Sequence, residues 1–257
     1  MALNDAAWWP FDSPGASGRI PLICLPYAGG GASVYRPWRR LQPAAIEVCP
    51  VQLPGREGRI REKPFRRVEP LVEALAGILE PFAGRPFAIF GHSMGALIGF
   101  VLARRLRAMG LPGPAHLFVS AARPPGEMRR GVPMHTLSDE SFVEALRELR
   151  GTPDLVLEHR ELMELLLPTL RADFELCHAY EHAPEEALAC PITAIGGLGD
   201  DQVTREELHR WEHETSGGFR PILLPAGHFY LDEHAGAILT AVASSLTGGG
   251  HGAHRSG

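Results

Sequence analysis

The sequence predicts an α/β fold: a mostly parallel sheet with helices on both faces and a helical insertion that serves as a lid. Short apolar, strand-forming runs alternate along the chain with amphipathic or apolar helical segments, until the alternation gives way to one long helical stretch. Such alternation is typical of parallel sheets, because each crossover between parallel strands needs a long, usually helical connection. We therefore expect a core of residues 1–122 and 190–246 and a lid of residues 123–189.

The individual elements follow from apolar periodicity and from the Gly and Pro residues between them. Six runs are predicted as strands: 20–25, 45–53, 86–90, 116–121, 191–195 and 220–224. The helical segments of the core are 68–82, 94–109, 204–213 and 231–246, and those of the insertion are 138–149, 153–167 and 170–182. Residues 247–257 are Gly-rich and are predicted to form a disordered, inert tail, although it carries His251 and His254.

Composition excludes several classes of protein. The chain has 257 residues, of which 45% are hydrophobic and 21% charged, as in globular proteins rather than disordered or collagen-like ones. Its net charge of -5 gives no indication of nucleic-acid binding. No window approaches the roughly 20 apolar residues of a membrane span. We expect a single-fold protein, most simply a monomer, that binds neither nucleic acid nor membranes.

The start of the sequence indicates the compartment, and the spacing of the cysteines indicates whether disulfides or a zinc site are expected. Residues 1–18 lack the basic start and continuous apolar stretch of a secretory signal, so a cytoplasmic location is expected. The four cysteines, Cys24, Cys49, Cys177 and Cys190, are far apart and form no CxxC pair. Disulfides and a zinc site are therefore not expected.

A candidate nucleophile lies between a predicted strand and a predicted helix. The motif Gly91-His92-Ser93-Met94-Gly95 follows the strand 86–90 and opens the helix 94–109. G-x-S-x-G in a strand–turn–helix setting is typical of a nucleophile elbow, in which the serine hydroxyl projects above the sheet from a strained turn. Side chains at Gly91 and Gly95 would crowd the neighbouring strand and helix, so glycine is expected at both positions. His92, as the neighbour of Ser93, is expected to point elsewhere and to pack or hydrogen-bond beneath the turn.

A serine nucleophile needs a base and a group that orients the base. The loop after strand 191–195 carries Asp200 and Asp201, and the loop after strand 220–224 carries His228. The order Ser93, Asp200, His228 is the one that this strand–turn–helix arrangement requires. Both aspartates are candidates for the acid; Asp200 has the better spacing from the strand and from Val203, which is expected to pack on the core.

Stabilisation of a tetrahedral intermediate requires N–H donors near the nucleophile. The N–H of Met94, the residue after the serine, is one candidate. A second donor is expected from the loop after the first strand, Pro26-Tyr27-Ala28-Gly29-Gly30-Gly31, in which either Tyr27 or Ala28 supplies the N–H. Glycines there allow the backbone to approach a substrate closely.

Six motifs together resemble the type II thioesterases of polyketide and nonribosomal peptide synthetase pathways, members of the α/β-hydrolase superfamily. They are LPYAGGGAS (25–33), QLPGREGR (52–59), GHSMGA (91–96), LPTLRADF (167–174), GGLGDDQV (196–203) and GHFYL (227–231). The elbow and histidine motifs occur in many α/β-hydrolases, whereas LPGRE and LPTLRADF are more specific to this family.

The resemblance implies hydrolysis of acyl groups from the phosphopantetheine arm of acyl or peptidyl carrier proteins. It implies Ser93 as nucleophile, His228 as base, Asp200 as the acid, and Ala28 and Met94 as oxyanion donors. Tyr27 and Phe229 are expected to contact the substrate. No cofactor is expected, because the serine mechanism needs no metal or redox group and the substrate itself carries the phosphopantetheine.

A basic segment lies within this net negative chain. Residues 36–67 contain eight arginines and Lys63 against three glutamates, a local charge of +6. Part of this segment is expected to attract an acidic carrier protein or the pantetheine phosphate, the alternative being a solvated arginine face.

Alternative functions of the same fold are a carboxylesterase or lipase, an acyltransferase, and a catalytically inactive binding protein.

Overall fold

The computed structural model describes residues 5–11, 14–15, 17–80, 84–129 and 131–248, and its centre is a six-stranded parallel sheet. The strands are β1 (Ile20–Leu25), β2 (Ile46–Pro50), β3 (Ala88–His92), β4 (His116–Ser120), β5 (Ile192–Gly197) and β6 (Phe219–Leu224). Their order across the sheet is β2-β1-β3-β4-β5-β6. The predicted parallel sheet is confirmed.

Helices cover both faces of the sheet, as predicted. They are α1 (Asp5–Trp8), α2 (Arg36–Leu41), α3 (Val68–Leu79), α4 (Met94–Ala108), α5 (Asp139–Leu149), α6 (Asp154–Leu157), α7 (Arg160–Ala179), α8 (Arg205–His209) and α9 (Ala235–Thr247). Alternate residues of the strands belong to two separate apolar cores: Ile23 and Ile89 face α3 and α4, whereas Leu22 and Phe90 face α2 and α9. This alternation places apolar side chains on both faces of every central strand.

Several predicted boundaries were wrong for identifiable reasons. Strand β2 ends at Pro50 rather than at residue 53, because the Gln52 N–H is donated to the Trp8 carbonyl (2.9 Å) instead of to a strand. The segment predicted as 204–213 is α8 followed by a 3-10 helix at Arg210–Glu214. The last helix begins at Ala235 rather than at residue 231.

Helices α1 and α2 were not predicted, since each is too short to show a helical period. Tertiary contacts stabilise α2: Trp38 is fully buried, and its indole N–H donates to the Leu231 carbonyl (2.7 Å). This bond joins α2 to the segment just before α9, which explains in part why residues 231–234 are not helical.

Between β4 and β5 the described residues form α5, α6 and α7 and contribute no strand to the sheet. The three helices share a small core of their own, formed by Phe142, Leu146, Leu157, Met163 and Leu170. The predicted division into helices 153–167 and 170–182 is wrong: α7 runs without a break through Pro168. Pro168 and Glu164 both lie on the exposed side of α7, where water can satisfy the carbonyl that proline leaves without a donor.

At the carboxyl terminus, α9 extends to Thr247, one residue into the predicted tail. Residues 249–257, with His251 and His254, lie outside the described residues. In the part of the chain that the structure describes, no helix is long and apolar enough to cross a membrane.

Candidate active site

The registers of the parallel strands bring the ends of β1, β3, β5 and β6 to one edge of the sheet. Leu25 pairs with Gly91, His92 with Ser120, and Gly197 with Leu224. The segments that leave these strands carry all seven residues predicted for the site: six lie in loops and turns, and Met94 begins α4. Because the carboxyl ends of parallel strands form the ligand-binding edge of such sheets, this is the edge at which a site is expected.

Ser93 occupies a strained turn between β3 and α4, with φ 53° and ψ −114°. A Cβ atom on Gly91 would lie 2.1 Å from the Gly95 carbonyl oxygen, and one on Gly95 would lie 2.1 Å from the Leu25 carbonyl oxygen. Both positions therefore require glycine. The Ser93 N–H donates to the Ser120 carbonyl at 2.7 Å, which fixes the turn against β4. The predicted elbow geometry is present.

The structure brings Asp200, and not Asp201, to His228. The Nδ1 atom of His228 lies 2.8 Å from Oδ2 of Asp200, and the two side chains are 5% and 0% exposed. The other Asp200 oxygen accepts the N–H groups of Gln202 (2.8 Å) and Val203 (3.1 Å). Asp201 is exposed. Val203 is buried, as expected from the spacing of the loop.

One cavity of about 420 Å³ joins the predicted nucleophile, base and oxyanion donors. Its walls include Ser93, Met94, Ala28, His228 and the rings of Tyr27 and Phe229. The insertion supplies apolar side chains to the same cavity: Met134, Leu146, Leu149, Leu170, Phe174 and Cys177. The cavity therefore presents an apolar chamber to a reactive polar edge, an arrangement typical of ligand sites.

The Ser93 hydroxyl makes no hydrogen bond to any other described residue, so its contact with His228 is not closed in this conformation. Such contacts are often long without substrate and tighten when it binds. In the same described residues, the N–H of Ala28 has no acceptor, and Met94 is the first residue of α4, where helical N–H groups lack intrahelical partners.

His92 lies beneath the elbow, as predicted, in a buried hydrogen-bond network. Its Nδ1 lies 2.9 Å from the Ser120 hydroxyl, which is 2.7 Å from the Tyr230 hydroxyl. Tyr230 donates in turn to the Ile195 carbonyl at 2.8 Å. Burial, and secondarily the nearby His228, hold the pKa of His92 well below its usual value. Burial therefore favours the neutral form of His92.

Two of the arginines in the basic segment 36–67 face inward and do not add to its exposed charge. Arg56 is buried and forms an ion pair with Asp173 of α7 (2.7 Å). Arg59 binds Glu62 and the Gln52 carbonyl and lies 4.3 Å over the ring of Trp8. Neither guanidinium is available to a partner.

No role in the site was predicted for Asp173, Ser120 or Tyr230, and Arg56 was counted only as part of the basic segment 36–67. Three of them lie in quoted motifs: Arg56 in QLPGREGR, Asp173 in LPTLRADF and Tyr230 in GHFYL. Ser120 had no sequence signal. For cofactors, the described residues contain no group of three His, Cys, Asp or Glu side chains that could hold a metal ion.

Comparisons with known proteins identify the family of this chain. The model of the thioesterase domain family matches residues 20–246. The chain is 43% identical to the gramicidin S biosynthesis protein GrsT of Aneurinibacillus migulanus over 226 residues, which are 88% of each chain. Among solved structures, RedJ, a thioesterase from the prodiginine pathway of Streptomyces coelicolor, superimposes with a TM-score of 0.83 at 38% identity, covering 94% of this chain and 93% of that one. The type II thioesterase BorB from the borrelidin cluster gives a TM-score of 0.83 at 38% identity and covers 93% and 98%.

These matches confirm the predicted fold and the predicted class of enzyme, a hydrolase that acts on thioesters. They extend over the core and the helical insertion alike, since the matched family segment begins at β1 and ends within α9. The chain therefore belongs to the thioesterase family and is of the type II kind that its sequence motifs indicate.

Proposed function

We propose that this thioesterase removes acyl groups from the phosphopantetheine arms of carrier proteins in a polyketide or nonribosomal peptide synthetase, and so clears blocked or wrongly loaded carriers. The proposal rests on one observation: Ser93 and His228 line the same cavity as the apolar side chains of the insertion. The relatives named above, which are biosynthetic-cluster proteins, support the same substrate class.

The reaction follows the serine template in two steps. The Ser93 hydroxyl attacks the thioester carbonyl while Nε2 of His228 takes its proton, and Asp200 holds the Nδ1–H of the imidazole. The N–H groups of Ala28 and Met94 bind the oxyanion that forms. The pantetheine thiol then leaves with the proton from His228, and an acyl group remains on Ser93.

The second step releases the acid. His228 takes a proton from water, the hydroxide attacks the acyl-Ser93 carbonyl, and the proton returns to the serine oxygen as the C–O bond breaks. These steps use only the side chains of this chain, water and the arm of the substrate. The proposal therefore needs no metal or redox cofactor.

The chamber and its rim have separate roles in the proposal. The apolar walls from α5 and α7 take the acyl chain, and residues 123–189 act as the lid over it. Tyr27 and Phe229 lie in edge-to-face contact, with ring centroids 5.2 Å apart, beside His228 and Ser93. Phe229 is 39% exposed, so these two rings form the wall where substrate enters.

All of these groups come from one chain, which supports action as a monomer. The four cysteines are free thiols, which is usual in reducing compartments and supports a cytoplasmic location.

A comparison of substrates tests the proposed function against an esterase or lipase. The same acyl group is presented on a phosphopantetheinyl carrier protein and as a simple oxygen ester. We expect a higher kcat/KM for the carrier thioester; a higher kcat/KM for the oxygen ester would favour the esterase. Ordinary hydrolysis without transfer to an added alcohol or amine would distinguish the enzyme from an acyltransferase.

Arg61 and Lys63 remain candidates for attracting an acidic carrier. Both are exposed, and within the described part of the chain neither forms an ion pair. They follow Glu57, which accepts hydrogen bonds from Ser33, so their segment is joined to the residues that follow β1. Arg61 and Lys63 together define the surface that we propose for the carrier protein.

Charge reversal of Arg61 and Lys63 to glutamate should lower kcat/KM for an acyl-carrier protein by about tenfold, mainly by slowing association, and leave a free acyl-pantetheine thioester unaffected. The effect should shrink as salt is added. The control is Arg220→Glu, an exposed site on β6 at the opposite edge of the sheet. Equal losses on both substrates, or the same loss in the control, would contradict the assignment.

A further inference from the structure

A buried ion pair joins the insertion to two loops beside the active site. The Arg56 Nη1 and Nη2 atoms donate to the two carboxylate oxygens of Asp173 at 2.7 and 2.8 Å. The side chains are only 5% and 2% exposed. Asp173 lies on α7, and Arg56 lies in the loop after β2. The Thr169 hydroxyl of α7 also donates to the Gly55 carbonyl of that loop (2.5 Å).

The Asp173 carboxylate has a second partner, in the loop that carries the proposed oxyanion donor. Its Oδ2 atom accepts the N–H of Gly29 at 2.7 Å. Arg56 completes the contact by donating to the carbonyl of Gly30 at 3.2 Å. Two consecutive residues of the loop are thus held by the two ends of one ion pair.

These contacts fix the direction of the Ala28 N–H. The Gly30 N–H donates to the Tyr27 carbonyl at 2.9 Å, which closes a turn over residues 27–30. The Tyr27 carbonyl and the Ala28 N–H belong to one planar trans peptide, so they point in opposite directions. A turn that holds this carbonyl inward presents the N–H of Ala28 on its outer side, and Ala28 lines the same cavity as Ser93.

Helix α7 also packs closely against the turn. Gly29 has φ +79°, and a Cβ there would lie 2.5 Å from Cδ2 of Leu170, the residue one turn before Asp173 on α7. Met94, the other proposed donor, borders a small internal gap together with Arg56 and Asp173. The ion pair therefore lies near Met94 as well as beside the turn that carries Ala28.

We propose that Asp173, held by Arg56, is a positioning residue for thioester hydrolysis: by binding the Gly29 N–H it aims the Ala28 N–H at the oxyanion, so the oxyanion hole is complete only when α7 is docked. The inference rests on the proposed function, because it takes Ala28 as an oxyanion donor. A buried ion pair is a weak source of net stability, since desolvation offsets its attraction. Positioning of the turn therefore gives the buried pair a role that a contribution to stability would not explain.

The test uses Asp173→Ala and Asp173→Asn with two ligands of different kinds. An acyl trifluoromethyl ketone forms a tetrahedral adduct with the serine and requires the oxyanion hole, whereas a non-hydrolysable acyl-pantetheine thioether binds without forming an oxyanion. Asp173→Ala should lower kcat by about 100-fold, the scale of a lost or misplaced oxyanion donor, with KM nearly unchanged. The ketone should lose affinity by a similar factor, and the thioether should keep its affinity.

The conservative variant and a surface pair serve as controls. Asp173→Asn retains an oxygen that can accept the Gly29 N–H, so kcat and ketone affinity should fall by only about tenfold. Arg66→Met removes the exposed ion pair with Glu175, which joins the same loop region to the same helix without touching residues 27–30. It should leave kcat and ketone affinity unchanged.

The outcomes separate the inference from the proposed function. If both Asp173 variants lose thermal stability but bind the ketone as the wild type does, the carboxylate is only structural and the inference is wrong. If Asp173→Ala does not fold, Asp173→Asn decides the question: wild-type kcat and ketone affinity would overturn the inference. A wild-type enzyme that is not inhibited by the ketone would instead contradict the proposed function.

Discussion

Replacement of Ser93 by alanine should reduce thioester hydrolysis by about 10⁴- to 10⁶-fold, the range found when a serine nucleophile is removed from a catalytic triad. Ser93 is held above the sheet in a turn with φ 53°, and it lines the cavity with His228. Alanine keeps this backbone and removes only the hydroxyl, so no acyl-enzyme can form. The variant should fold with nearly wild-type stability.

Hydrolysis of an acyl-pantetheine thioester and covalent labelling by a fluorophosphonate measure the loss. Labelling should disappear in Ser93→Ala. The control is Ser33→Ala, which removes an exposed hydroxyl from the loop after β1 and should remain labelled. Labelling that survives in Ser93→Ala would show that another residue is the nucleophile.

Asp200→Asn should lower kcat by about 10³- to 10⁴-fold, whereas Asp201→Asn should stay within about twofold of the wild type. Asparagine at 200 can present an amide N–H to Nδ1 of His228, which stabilises the wrong tautomer and leaves no charge to stabilise the imidazolium. The buried carboxylate at 2.8 Å makes this contact, and the adjacent exposed Asp201 does not.

The two aspartates are a matched pair, since they are neighbours in one loop and the substitution is the same. Single-turnover and steady-state rates on one thioester measure the difference. Equal losses in the two variants would contradict the assignment of Asp200, and the thermal stability of Asp200→Asn should be checked because its Oδ1 accepts the N–H groups of Gln202 and Val203.

Local sequence patterns predicted those parts of the fold that local physics determines. The buried strands are continuous apolar runs, and the elbow shows itself as Gly91 and Gly95 around Ser93, where any Cβ meets backbone atoms. Helix α2 could not be predicted in this way. It is six residues long and depends on Trp38 reaching the Leu231 carbonyl, 193 residues away.

Long-range pairing also explains what was missed in the site. Arg56 and Asp173 are 117 residues apart in sequence, and Ser120 and Tyr230 are 110 apart, so only the folded sheet and insertion bring them together. A sum of charges over residues 36–67 does not distinguish the buried Arg56 from the exposed Arg61. The predicted separation of helices 153–167 and 170–182 is absent, because α7 accommodates Pro168 on its exposed side.

The most direct test of the central claim is to mix the enzyme with a carrier protein bearing an acyl-phosphopantetheine arm and to follow the intact mass of both proteins. The proposal predicts that the carrier loses the acyl mass while the wild-type enzyme gains it transiently on Ser93, and that Ser93→Ala leaves the carrier loaded. A carrier that keeps its acyl group, while the same enzyme hydrolyses an oxygen ester of that acid, would contradict the proposed function.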